Sequence, residues 1–278
     1  MSTKFLYMDK KSFNKNLKKL IRNEGFIGKI VKHKVLDDLG FFVVKKALPF
    51  DTIEKYRLNF VKSFKKKILN KTKEHPVEVK IEGKKFFEKI YKDKNIKKIA
   101  KGFFKGRVGS DFFRIVKKDY RNSSSVFCHQ DTGYQLGSFD RYSLFICLTD
   151  NNHLNGGMVL YPSTHKFGYL GDTGEISKHI TKKYLKICPD LKAGDILIMH
   201  SALWHESNEN ILKSDRIYLE IHIQNIDEPT TKYSILGTRN KIIKPLFERS
   251  KIFSNSRVSR IINFKKKISL LEKKLSQL

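Results

Sequence analysis

The stretch "GDILIMHSALWHESNENILKSDRIYLEIHIQ", residues 194–224, contains two apolar runs separated by a polar loop. Both runs are short and rich in β-branched residues, which is typical of strands. His200 and His205 lie at the end of the first run and in the loop, and Arg216 opens the second run. A loop of this length can return the chain beside the preceding strand. We therefore expect polar side chains to gather where two neighbouring strands meet.

Short strands of the same kind recur from about residue 112 onward. Gly-, Asn- and Ser-rich turns separate them, and no helical run of comparable length intervenes, which favours a β-sandwich or barrel over a parallel α/β sheet. We predict a mainly β fold with flanking helices and a jelly-roll core. The predicted strands are FFRIVKK (112–118), SVFCHQD (125–131), YSLFICLTD (142–150), GMVLYP (157–162), YLKIC (184–188), DILIMH (195–200) and RIYLEIHIQ (216–224).

The rest of the chain divides into a helical front and a basic tail. Residues 11–36 and 50–68 repeat apolar residues at helical spacing, the second run from a predicted N-cap at Asp51, and residues 39–49 between them resemble a strand. We predict a single domain over residues 1–248, in which residues 1–105 are largely helical and about 106–235 form the jelly roll. Residues 249–278 are predicted to form an amphipathic helix with heptad spacing. That helix packs on its own domain or lies on an anionic membrane surface.

Composition limits the class of protein. Of the 278 residues, 40% are hydrophobic and 12% aromatic, so a globular fold is expected rather than disorder. No apolar run reaches the length of a transmembrane helix, the N-terminus lacks a signal-peptide core, and the three cysteines suggest reduced thiols. We predict a cytoplasmic protein, peripheral to the inner face of the membrane if the tail binds lipid. The net charge of +29 indicates an anionic partner or a general compositional bias.

A second polar cluster, "VFCHQDTGY" at residues 126–134, completes a metal-ligand pattern. His129 and Asp131 lie two residues apart on a strand, so their side chains share one face. Two histidines and one carboxylate bind Fe(II) and leave positions open for a co-substrate and O₂. His200 and His205 both remain candidates for the second histidine. A 2-oxo acid co-substrate would also need a fixed guanidinium for its far carboxylate, and Arg216 follows at a suitable distance.

Together these motifs resemble the phytanoyl-CoA dioxygenase family of Fe(II)- and 2-oxoglutarate-dependent oxygenases over roughly residues 35–225. The H-Q-D triplet, "NGGMVLYPSTHKFG" at 155–168 and the pattern G-D-I-L-I-M-H….H.S..N……R carry the resemblance. Ser163 departs from it, because glycine is usual there. The resemblance implies a double-stranded β-helix, with iron ligands His129, Asp131 and His205 and co-substrate contacts from Arg216, Ser207 and Gln130. It leaves His200 as a core histidine.

The resemblance further implies Fe(II), 2-oxoglutarate and O₂ as cofactor and co-substrates of a dioxygenase. The carboxylate at Asp131 favours hydroxylation over halogenation, because halogenating relatives lack it. We expect a small or conjugated anionic metabolite, or a glycolipid, as the substrate. Alternatives are an oxidative nucleic-acid demethylase, disfavoured because no aromatic-interleaved basic groove is visible, and a non-enzymatic cupin-like metal-binding module. Candidate substrate-pocket residues are Tyr134, Arg141, Trp204 and His222.

Overall fold

A computed structural model describes most of the chain. The described residues are 9–65, 77–80, 85–103, 106–120, 123–131, 141–170, 176–228, 230–239 and 273. Tyr134 and the predicted C-terminal helix over 249–278, apart from residue 273, lie outside them. No helix in the described part is long and apolar enough to cross a membrane.

Helices are concentrated in the first hundred residues. The predicted helix over residues 11–36 is divided, because Gly25 ends the first helix with a φ of 66° and the chain then forms a short strand. The helix predicted over 50–68 is present but begins at Phe50, so Asp51 lies in its first turn rather than at the N-cap. The helices are α1 (Lys10–Glu24), α2 (His33–Leu39), α3 (Phe50–Lys65), α4 (Lys85–Glu88), α5 (Lys94–Phe103) and α6 (Lys178–Thr181).

Within the described residues, twelve strands form two sheets. The strands are β1 (Ile27–Gly28), β2 (Phe41–Val44), β3 (Val77–Lys80), β4 (Val108–Ser110), β5 (Phe113–Lys118), β6 (Val126–His129), β7 (Tyr142–Cys147), β8 (Met158–Leu160), β9 (Ile196–His200), β10 (His205–Ser207), β11 (Arg216–Asn225) and β12 (Tyr233–Leu236). The strand order of the larger sheet is β1-β2-β9-β7-β11-β4-β12. In addition, β5 pairs with β11, and β3 pairs with β5. The smaller sheet is β6-β10-β8. Apart from β1 with β2, the pairs are antiparallel. This architecture confirms the mainly β jelly-roll prediction.

Two sequence predictions about individual strands have different outcomes. The run at residues 39–49 forms β2, which joins the larger sheet beside β9 rather than standing apart in a helical front. The prediction of a strand at 184–188 was wrong, because Ile187 makes only an isolated bridge with Leu160. Pro189 lacks an N–H group and cannot continue that ladder.

Ser163 adopts the backbone conformation that glycine favours. Its φ is 65° and its ψ is 0°, in the left-handed region. The Ser163 hydroxyl donates to the carbonyl of Asp38 at 2.6 Å, and the Ser163 N–H donates to the carbonyl of Leu39 at 2.8 Å. These two bonds to the end of α2 offset the cost of a side chain at positive φ. The turn is therefore retained despite the departure from glycine.

Candidate active site

The smaller sheet places two histidines directly opposite each other. His129 is the last residue of β6, His205 is the first of β10, and the two are register partners. Their ring centroids lie 4.2 Å apart. Asp131 follows β6, and its N–H donates to the carbonyl of Ser201 at 2.9 Å. The Asp131 Oδ1 atom then lies 3.6 Å from His129 Nε2 and 3.7 Å from His205 Nε2.

Both rings are held in the same tautomer. The Nδ1 atoms of His129 and His205 each lie 2.9 Å from the backbone carbonyl two residues earlier, that of Phe127 and of Leu203. A carbonyl can only accept, so each Nδ1 carries a hydrogen, and in the neutral ring Nε2 presents its lone pair. This orientation is the one that metal-ligating histidines adopt.

The charge states of Asp131 and His205 also suit a cation. Burial disfavours ionisation of Asp131, but His205 and His129 together lower the pKa of its carboxyl below the usual value. Burial, followed by the charge of His129, lowers the pKa of His205 to about 4. Asp131 is therefore ionised and His205 neutral near pH 7. Among the described residues, Asp131 Oδ2 is buried with no hydrogen-bond partner. Each residue offers one candidate ligand atom, and these three atoms lie within 4.8 Å of one another. The set therefore fits a divalent metal such as Fe(II).

His200 lies outside this group. It ends β9 in the larger sheet, and its Nδ1 accepts from the N–H of Ala202 at 3.0 Å. Its ring packs edge-on against Tyr142 at 5.1 Å and lies 5.2 Å from the ring of His165. Of the two late histidines, the structure therefore places His205 with His129 and Asp131.

A cavity of about 140 Å³ extends from the three residues between the two sheets. Arg216 and Ser207, both expected to contact the co-substrate, line its wall. The guanidinium of Arg216 is buried, donates through Nη1 to the carbonyl of Gly156 at 2.9 Å, and lies 4.7 Å from the ring centre of Tyr218. The structure thus brings Arg216 and Ser207 into the cavity that contains the candidate metal ligands.

Gln130 points elsewhere. Its amide nitrogen donates to the carbonyls of Gly168 at 2.8 Å and Ala202 at 2.7 Å, and its amide oxygen accepts from the N–H of Leu170 at 3.0 Å. Gln130 follows the end of β6, and these three bonds engage both ends of its amide with backbone groups. The expected co-substrate contact is therefore wrong for this geometry, and the amide instead fixes the loop around residue 168.

Three of the four candidate substrate residues are described, and none lines the cavity. Trp204 packs with Tyr161, Phe167 and Tyr184 in a separate cluster. The other two, Arg141 and His222, are buried, with 2% and 7% of their surface exposed. Because none of the three lines the cavity, a substrate contact by Trp204, Arg141 or His222 stays a prediction.

Arg141 and His222 belong to a buried chain of alternating charges. Arg141 Nη1 lies 3.7 Å from Asp111, and His222 lies 3.3 Å from Asp111 and 3.2 Å from Glu220. Glu220 then accepts from Arg114 Nε at 2.6 Å. Burial alone would lower the pKa of His222, but Asp111 and Glu220 raise it to about 9, so His222 is a cation.

Two cations near the cavity were missed by the sequence analysis. Arg114 lines the cavity, and Lys118, on the same face of β5, is fully buried behind it. Lys118 Nζ donates to Ser207 Oγ at 2.9 Å, and burial followed by the charge of Arg216 lowers its pKa to about 7. Their alternation along "RIVKK" was visible, but the strand pairing that brings them to the site was not.

Comparison with known proteins agrees with this geometry. The family model described as phytanoyl-CoA dioxygenase matches residues 36–217. No curated protein sequence matches the chain.

Several solved structures share the fold. The non-heme α-ketoglutarate-dependent epimerase SnoN from nogalamycin biosynthesis has a TM-score of 0.62 at 16% identity, covering 71% of this chain and 82% of that one. The corresponding carbocyclase, SnoK, has a TM-score of 0.62 at 14% identity, covering 72% and 86%. HygX from Streptomyces hygroscopicus, with nickel and 2-oxoglutarate bound, has a TM-score of 0.56 at 12% identity, covering 70% and 88%.

The family match covers well over half of the chain, and the structural likeness extends over a similar share. The family match includes both segments that supply the candidate metal ligands, and it ends one residue after Arg216. The chain belongs to the phytanoyl-CoA dioxygenase family and is an Fe(II)- and 2-oxoglutarate-dependent oxygenase.

Proposed function

We propose that His129, Asp131 and His205 bind the iron, and that Arg216 and Ser207 bind the distal carboxylate of 2-oxoglutarate. The oxygenase would then hydroxylate, or otherwise oxidise, a small anionic substrate with release of succinate and CO₂. The observation that carries the proposal is the convergence of two imidazole Nε2 atoms on one buried carboxylate. The bound iron would supply activation of O₂, for which two histidines and a carboxylate leave open positions.

The residues of the chain have distinct tasks in this proposal. The carbonyls of Phe127 and Leu203 hold the two imidazoles in the metal-binding tautomer. Arg216 offers a planar, buried guanidinium to a carboxylate, a geometry that favours two parallel hydrogen bonds. Burial of Asp131, His205 and Arg216 strengthens each of these charge interactions.

The anionic substrate is supported by the charge chain behind the cavity. Arg141, His222 and Arg114 are cations, and they alternate with the carboxylates of Asp111 and Glu220. Arg114 forms its cavity end, with its side chain 24% exposed. An acidic group on the substrate would meet this arginine at the cavity wall. A small-molecule substrate is also in keeping with SnoN, whose structure contains Fe³⁺, α-ketoglutarate and nogalamycin RO.

Succinate release tests the proposal. The protein is supplied with Fe(II), O₂ and 2-oxoglutarate, together with pairs of metabolites that differ by one acidic group. We expect succinate with the acidic member of a pair, and none with Asp131→Ala. Arg114→Gln should reduce kcat/KM for the acidic member roughly 10- to 100-fold, because a charge-assisted hydrogen bond is lost.

Arg107→Gln is the matched control, because it removes an arginine whose ion pair with Asp227 is far more exposed, with half of the Arg107 side chain in solvent. This variant should leave the preference unchanged. Equal turnover of acidic and neutral members by the wild-type protein would contradict the anionic substrate.

The C-terminal segment carries a separate proposal of lipid binding. Residues 249–278 combine heptad-spaced apolar residues with lysines, the composition of a helix that lies on an anionic membrane surface. We expect the full chain to sediment with anionic liposomes at low salt and to be released at high salt. A chain ending at residue 248 should lose this binding, and equal binding by the truncated chain would contradict the proposal.

A further inference from the structure

Two buried basic side chains lie side by side next to the cavity. Lys118 and Arg216 are register partners in the β5–β11 pair, so their side chains project on the same side of the sheet. Lys118 is 0% exposed and Arg216 is 3% exposed. In the part of the chain that the structure describes, no carboxylate forms an ion pair with either residue. Adjacent buried charges of one sign are unfavourable unless an anion joins them.

Lys118 reaches the cavity through Ser207. Lys118 Nζ donates to Ser207 Oγ at 2.9 Å and also to the backbone carbonyl of Asn208. A hydroxyl that accepts from an ammonium has its own proton available for another acceptor. Ser207 and Arg216 both line the cavity wall. The lysine thus makes Ser207 a hydrogen-bond donor toward the space beside Arg216.

Gly156 and Asn210 hold the pair together. Gly156 has a φ of +84°, and a Cβ atom there would lie 2.4 Å from Lys118 Cδ, so only glycine leaves room for the lysine stem. The carbonyl of the same glycine accepts from Arg216 Nη1 at 2.9 Å. Asn210 Nδ2 donates to the backbone carbonyl of Lys118 at 3.2 Å. The two cations therefore occupy a built site, rather than a solvated surface.

We propose that Lys118 is the positioning residue that makes this enzyme select a 2-oxo acid with a second carboxylate. It acts by orienting the Ser207 hydroxyl and by placing a second positive charge behind the carboxylate that Arg216 binds. The inference rests on the proposed function of the same cavity. A 2-oxo acid that lacks the second carboxylate gains nothing from Lys118, whereas 2-oxoglutarate gains a charge-assisted hydrogen bond through Ser207.

Binding calorimetry without oxygen tests this selection independently of turnover. The dissociation constants of 2-oxoglutarate and of 2-oxopentanoate, its analogue without the distal carboxylate, are measured on the Fe(II)-loaded protein. For Lys118→Met we expect the constant for 2-oxoglutarate to rise roughly 30-fold, the loss of one hydrogen bond to a charged group, with that for 2-oxopentanoate within about threefold of wild type.

Lys117→Met is the matched control. This neighbouring lysine faces the other side of β5 and pairs with Asp119 and Asp215, so its removal deletes the same charge outside the cavity. We expect both dissociation constants to stay unchanged in this control. Lys118→Gln, which also removes the charge but keeps a polar group, replaces the methionine variant if that variant does not fold.

The outcomes separate the inference from the function on which it rests. If the dissociation constants of both acids rose equally in the folded Lys118 variants, the lysine would have only a structural role, and the inference would be overturned. Unchanged binding of both ligands would overturn it as well. In either case 2-oxoglutarate binding by the wild type would leave the proposed function standing. Failure of the wild type to bind either acid would instead overturn the proposed function itself.

Discussion

His205 lies directly opposite His129 across the β6–β10 pair, and both residues direct Nε2 toward Asp131 Oδ1, at 3.7 and 3.6 Å. The strand register therefore sets the separation of the two imidazoles before any metal binds. Hydrogen bonds to two backbone carbonyls fix the ring orientations. A site preorganised in this way loses little conformational entropy when it takes up a cation.

Replacing Arg216 with lysine should weaken 2-oxoglutarate binding although the charge is kept. The guanidinium donates to the carbonyl of Gly156 and has further N–H groups for a carboxylate, whereas an ammonium cannot match that planar geometry. We expect the dissociation constant for 2-oxoglutarate, measured by anaerobic calorimetry, to rise roughly 10- to 100-fold. Retention of wild-type affinity would show that the distal carboxylate binds elsewhere.

Replacing Gln130 with alanine should affect stability rather than co-substrate affinity. Three hydrogen bonds to backbone groups of the loop around residue 168 and of Ala202 would be lost in a buried position. We expect the free energy of unfolding in urea to fall by about 2–3 kcal/mol, because unpaired buried backbone groups remain. The dissociation constant for 2-oxoglutarate should stay within about threefold of wild type. A large loss of affinity in a stable variant would restore the co-substrate role.

Gly40→Ala should be more destabilising than a matched glycine substitution elsewhere. Gly40 has a φ of +79°, and an added Cβ would lie 2.5 Å from His165 Nδ1 and 2.8 Å from Leu203 Cδ1. Gly106 has a similar φ of +83° but no atom within 4 Å of the added Cβ. We expect a loss of about 1–2 kcal/mol for Gly106→Ala from backbone strain alone. Gly40→Ala should cost about 1–3 kcal/mol more, because of overpacking. Equal losses of unfolding free energy in the two variants would contradict the close packing of Gly40 against His165 and Leu203.

The free energy of unfolding should depend on pH through His222. Burial opposes its charge, but Asp111 and Glu220 raise its folded pKa to about 9. The unfolded pKa of histidine is about 6.5. The folded state therefore binds the proton more tightly, so the contribution is complete below about pH 6.5 and is lost as the pH rises through 9.

Urea unfolding of the metal-free protein between about pH 6 and 9.5, a range that spans both pKa values, measures this dependence. The wild type should lose stability relative to His222→Gln as the pH rises. A constant difference between the two proteins across this range would show that His222 is not a buried cation.

Local sequence patterns predicted most of the strands and the residues of the candidate site. The alternation in "VFCHQD" put His129 and Asp131 on one face, and the same alternation placed Gln130 on the other, where its amide binds the loop. What the sequence did not show was pairing between distant strands. The register of β5 with β11, which buries Lys118 beside Arg216, depends on packing of the whole sheet. The burial of Trp204 and His222 has the same origin, since their neighbours come from remote segments.

Anaerobic titration of the Fe(II)-loaded protein with 2-oxoglutarate tests the central claim most directly. A 2-oxo acid chelated to Fe(II) gives a visible charge-transfer band, which requires a ligand set with open positions. We predict the band in wild type and in His200→Asn, and its loss in Asp131→Ala and His205→Ala. The absence of the band in wild type, or its loss in His200→Asn with retention in His205→Ala, would contradict an iron site formed by His129, Asp131 and His205.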